Sequence, residues 1–124
     1  ITVNNDITLT AEFEQIPVTM WYYTSNSTVS DFSESIFENS TSNIANKGVN
    51  WIQKYTYIVF PINKHAKLEY VSGGITSLIQ EGTGANDLKD ENLNNIPSGY
   101  KALRYRPSVS SIETTETKIT IYNE

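Results

Sequence analysis

Residues 51–60, WIQKYTYIVF, concentrate aromatic and β-branched side chains and stop at Pro61. Such side chains suit a pleated, buried surface, whereas proline lacks the N–H that a ladder requires, so the run reads as a strand that ends or reaches an edge at Pro61. It is apolar on both faces, which predicts the deepest strand of the fold. On its N-terminal side, residues 18–25 (VTMWYYTS) follow Pro17, with Val18, Met20 and Tyr22 on one face and Trp21 and Tyr23 on the other. A strand with both faces apolar belongs in the middle of a sheet.

On the C-terminal side, residues 67–71 (KLEYV) and 75–79 (ITSLI) flank Ser72, Gly73 and Gly74. Two glycines free to take positive φ join these runs into a hairpin. YKALRYR, residues 100–106, restores alternation until Pro107 interrupts it, and TKITIY, residues 117–122, points Ile119 and Ile121 the same way. Near the start, Ile7, Leu9, Ala11 and Phe13 alternate with polar neighbours.

About seven short strands predict an all-β fold, an antiparallel two-sheet sandwich of Ig-like or jelly-roll-like type. Its predicted core is Met20, Tyr22, Tyr57, Val59, Leu68, Tyr70, Leu103, Ile119 and Ile121. The sandwich is expected over residues 15–124, with residues 1–14 as its first strand or as the terminal strand of a preceding repeat. Ile1 lies inside a strand-like pattern with no initiator methionine, so the chain is expected to be a piece of a longer one. Two stretches resist the strand pattern. In the polar segment 26–50, the spacing of Phe32, Ile36 and Phe37, with Ser30 or Asp31 as cap, predicts one short helix near residues 30–38. Residues 81–99 are rich in Gly, Asn and Asp and read as a mobile loop.

With 124 residues the chain is long enough to bury about two thirds of its unfolded surface. Apolar residues at 38% against charged ones at 19% place it with globular chains and away from disordered ones. The net charge of −5 and scattered cations, apart from Lys64/Lys67 and Arg104/Arg106, argue against nucleic acid as a partner. No apolar run approaches the roughly 20 residues of a membrane-spanning helix, so membrane insertion is not expected. The absence of cysteine removes disulfides, thiol nucleophiles and thiolate zinc sites.

Catalysis finds little to work with. His65, in INKHAKLE, is the only histidine, and neither G-x-S-x-G nor H-E-x-x-H occurs. The Gly82–Gly84 stretch lacks the lysine of a phosphate loop. No catalytic residue, metal site or cofactor is therefore expected. Asp87, Asp90 and Glu91, with Asn86 and Asn92, supply oxygen ligands of the kind calcium takes, without EF-hand spacing, and a plain polar loop is the preferred reading. The tripeptides Asn26-Ser27-Thr28 and Asn39-Ser40-Thr41 match the glycosylation sequon. Aromatic rings can stack on sugars, which makes Tyr23, Trp51, Tyr100 and Tyr105 the ligand-binding candidates; Trp21 and Trp51 also sit in patterns that favour packing.

The opening residues ITVNNDITLTAEFE resemble the last strand of Listeria–Bacteroides type β-repeats of bacterial surface and phage proteins, with Asp6, Thr8, Leu9, Thr10, Ala11 and Phe13 filling the pattern. A larger resemblance is carried by WYYTSNS (21–27), YTYIVFP (55–61), AKLEYVSGG (66–74), GYKALRYRPS (99–108) and KITIY (118–122). In that order they are similar to a β-sandwich module of bacteriophage fibre and appendage proteins. Ala66-Lys67 stands where that module has Gly, and the loop 81–98 is acidic and Asn-rich. The resemblance implies a non-catalytic virion module on the particle surface, homo-oligomeric in the assembled fibre, contacting other virion subunits or a host-surface glycan. The alternative is a glycan-binding module of a bacterial cell-surface or secreted protein.

Overall fold

A computed structural model describes residues 18–82, 87–107 and 112–123. The expectations for residues 1–14 lie outside the described residues. Within them the chain forms β1 (Met20–Ser25), β2 (Glu38–Ser40), β3 (Ile44–Lys47), β4 (Tyr55–Pro61), β5 (His65–Ser72), β6 (Ile75–Gln80), β7 (Lys89–Glu91), β8 (Tyr100–Tyr105) and β9 (Glu116–Tyr122). A five-stranded sheet runs β2-β1-β4-β8-β7 and a four-stranded sheet runs β3-β9-β5-β6, with every pairing between named strands antiparallel. This is the expected all-β, two-sheet sandwich.

The deepest strand is β4, in the middle of its sheet, with residues 56–60 all buried. After Pro61 the chain turns, with Lys64 N donating to Pro61 O at 3.1 Å, and enters β5 in the opposite sheet. The β5–β6 hairpin closes through Gly73 and Gly74, with Ser72 opposite Ile75. Their φ values of 59° and 79° meet the double positive-φ demand of a two-residue turn that follows the strand twist.

Between the sheets, Met20, Tyr22, Ile58, Phe60, Leu103 and Tyr105 from the first meet Ala45, Ala66, Leu68, Ile79, Ile119 and Ile121 from the second. Fully burying each aliphatic or aromatic side chain contributes roughly 1.5–3 kcal/mol. Polar Thr56 is accommodated in this layer because its hydroxyl lies 3.0 Å from that of Thr24 and 3.4 Å from Gln53 O.

Three expectations change. Tyr57 and Val59 are buried, but on the far face of the five-stranded sheet, where they form a second cluster with Phe32, Phe37, Leu93 and Ala102. The alternation of β4 requires this: Ile58 and Phe60 point into the sandwich, so Tyr57 and Val59 point away from it. The short helix expected near residues 30–38 is absent. The segment makes one turn, with Ile36 N and Phe37 N both donating to Ser33 O, and Asp31 bridges to Asn94 instead of capping. Packing Phe32 and Phe37 onto the sheet outweighs weak local helix propensity in this Ser-rich run. Part of the segment 81–99 is also ordered as β7, which pairs with β8.

A sheet face bearing rings and cations

The outer face of the five-stranded sheet is built in cross-strand rows. Trp21 lies opposite Val59, which lies opposite Ala102. The next row is Tyr23, Tyr57, Arg104 and Lys89. One step further, Ser25 faces Tyr55, and continuation of the β4–β8 register sets Arg106 beside Tyr55.

The small side chains of Val59 and Ala102 leave room for rings above them. Trp21 meets Phe32 edge-on at 5.2 Å and Tyr100 at 5.4 Å, and Phe37 stacks on Tyr23 at 5.2 Å while touching Phe32 at 5.0 Å. This cover is tied to the loop before β8. Phe32 N donates to Asn94 O at 2.8 Å, Asn94 N to Ser30 O at 2.9 Å, and Asn94 Nδ2 to Asp31 Oδ1 at 2.9 Å. Val29 N donates to the Tyr57 hydroxyl at 3.2 Å. Burial raises the Tyr57 pKa, the Val29 hydrogen bond opposes it, and the nearby Glu91 charge adds to the rise while Arg104 works against it.

The opposite end of the same face is polar. Around the half-buried ring of Tyr55, Lys54 Nζ lies 5.8 Å, Arg104 Cζ 5.9 Å and Arg106 Cζ 5.4 Å from the ring centre. Arg104 Nη1 is also 3.5 Å from Glu91 Oε1.

The four sequence candidates divide between the two sides of this sheet. Tyr23 and Tyr100 belong to the outer face, half-buried. Trp51 packs edge-on to Tyr22 at 5.9 Å, at the margin of the inter-sheet core, with Lys47 Nζ 5.8 Å from its ring. Tyr105 is 3% exposed inside that core, where burial and the neighbouring Tyr70 hydroxyl both raise its pKa. Its ring offers no surface for stacking. Missed at the sequence level was Tyr55, with Lys54 and Lys89. Alternation in YKALRYR does place Arg104 and Arg106 on one face, but the lysines join them through strand pairing.

His65 begins β5, partly exposed, with Nδ1 3.4 Å from Glu81 Oε2. That carboxylate also accepts from Ala66 N at 2.9 Å, and its other oxygen lies 3.5 Å from Lys101 Nζ. Glu81 thus anchors the start of a strand. Among the described residues no three or more His, Asp or Glu side chains gather as a metal cluster; Asn86 of the acidic loop is outside them. Asp87 approaches Gly82 so closely that a Cβ there would fall 2.5 Å from Asp87 Oδ2. Glu91 is engaged with Arg104.

Comparison with known proteins finds no matching family model, no matching curated protein and no matching solved structure. The class defined by the coordinates is an all-β sandwich of two antiparallel sheets.

Proposed function

We propose that this chain is a non-catalytic structural or attachment module of a bacteriophage fibre or capsid appendage, displayed on the particle surface and contacting neighbouring virion subunits or a host glycan. The observation that supports the reading is where the resemblance falls. The blocks WYYTSNS, YTYIVFP, AKLEYVSGG, GYKALRYRPS and KITIY coincide with β1, β4, β5 and its turn, β8 and β9, the strands flanked on both sides within their sheets. The resemblance therefore follows the frame of the sandwich and leaves the edge strands β2, β3, β6 and β7 free to vary. Edge strands need cover or charge, and β6 exposes Ile75 and Leu78, a combination that contact with neighbouring subunits would cover.

The second reading, a glycan-binding module of a bacterial surface or secreted protein, is favoured by the half-exposed rings of Tyr23 and Tyr100 on one sheet face. Immunogold electron microscopy with antibodies to the domain separates the two. Labelling of appendages on purified phage, together with block of adsorption by the free domain, supports the virion reading. Label confined to bacterial surfaces overturns it.

A further inference from the structure

Four cations, far apart in sequence, share one end of the outer sheet face. Lys54 precedes β4, Lys89 opens β7, Arg104 lies in β8 and Arg106 follows it, with Lys89 directly opposite Arg104. Like charges placed opposite each other in a sheet are unfavourable, so the strand pairing maintains a charge concentration that stability alone disfavours. Three of the four are held against the Tyr55 ring at 5.4–5.9 Å. A ring quadrupole positions a cation without neutralising it.

Glu91 is in ion-pair contact with Arg104 of the group. The four cations and Glu91 leave a local charge of +3 on a chain whose total is −5.

We infer that Lys54, Arg104 and Arg106, gathered around Tyr55, together with Lys89 opposite Arg104, form a binding site for the oxyanion groups of an acidic polysaccharide. The inference names the ligand of the attachment reading and rests on that reading for the polymer's source. Guanidinium forks match the planar geometry of a carboxylate and the paired oxygens of sulfate or phosphate, and the lysines add mobile point charges. A polysaccharide is favoured over nucleic acid by charge spacing. A nucleic-acid strand carries a phosphate on every nucleotide, and the chain outside the patch carries a net negative charge. A glycan with one charge per sugar or fewer can place single anions on the patch and neutral rings beyond it.

The test is isothermal titration of the 124-residue chain with chondroitin 4-sulfate for sulfate, polygalacturonate for carboxylate, inorganic polyphosphate for phosphate, uncharged dextran, and a thymidine oligonucleotide. Expected is binding to chondroitin 4-sulfate or polygalacturonate that weakens as sodium chloride rises, with dextran silent. Lys89→Ala and Arg106→Ala each weaken binding about fivefold, and Glu91→Gln tightens it about fivefold, from the interaction of unit charges near 4 Å in water. Urea midpoints of the lysine and arginine variants stay at that of the parent. Tighter binding of polyphosphate or the oligonucleotide than of either polysaccharide overturns the ligand class. Silence toward every polyanion, or affinity unmoved by all three substitutions, overturns the site. Polysaccharide binding with no immunogold label on phage leaves the site standing and removes only the virion reading.

Discussion

Truncating Phe37 tests whether the segment before β2 is part of the folded framework or a loop lying on it. Phe37 is 4% exposed, with rings of Phe32, Tyr23 and Tyr57 at 5.0, 5.2 and 6.3 Å. Replacing a buried Phe by Ala costs about 3–5 kcal/mol, and the lower end applies where a surface segment can settle into the space left. Phe37→Ala is therefore expected to cost about 3 kcal/mol, including the ring–ring contribution of about 0.5–1.5 kcal/mol per pair. The loss is a large share of the roughly 5–15 kcal/mol by which domains are stable.

Urea denaturation followed by tryptophan fluorescence measures the change, because Trp21 is in the same cluster. For a chain of this size the melting temperature should fall by about 10 °C. The control is its neighbour: Ile36 is 51% exposed, so Ile36→Ala should change stability by no more than about 0.5 kcal/mol. A short helix with Ile36 and Phe37 on a common apolar side would make the two substitutions similarly costly. Equal effects at both positions, or a loss at Phe37 under about 1 kcal/mol, refute the packing of Phe37 onto the outer face of the five-stranded sheet.

Thr117 is 1% exposed and its hydroxyl has no hydrogen-bond partner among the described residues, so Thr117→Val, which keeps the shape, should stabilise by about 1 kcal/mol in urea melts. Gly73→Ala and Gly74→Ala meet no atom within 4 Å yet hold positive φ, so each should cost about 1–2 kcal/mol with unaltered binding and spectra. The pKa values of Tyr57 and Tyr105 are raised above the ordinary tyrosine value, mainly by burial. Their stabilising contribution is full below pH of about 10, and is lost as pH climbs from there through the folded-state values, because the unfolded chain releases these protons first. Tyr105→Phe should flatten that alkaline decline in pH-jump unfolding, and a decline as steep as the parent's counts against the assignment.

Period-two alternation is a local property, and the sequence alone was enough to mark β1, β4, β5, β6, β8 and β9 and to assign side chains to opposite faces within each. The Gly73-Gly74 turn was equally legible, since its backbone demand is met by the residues themselves. Alternation does not say which of two apolar faces looks into the sandwich. Tyr57 and Val59 were therefore grouped with Leu68 and Ile119, although a sheet lies between them. It is also silent on partners distant in the chain. β7 is three residues long and takes its place from pairing with β8, and Phe32 and Phe37 leave the helical reading because a sheet surface with small residues lies beneath them.

The same limit governed the candidate site. Tyr105 read as an available ring until the β4–β8 register turned it inward, and Lys54 and Lys89 read as isolated charges until strand pairing brought them to Arg104 and Arg106. Local chemistry chose the strands and their faces. The arrangement of the faces depends on contacts summed over residues far apart in the chain, and only the tertiary structure decided that.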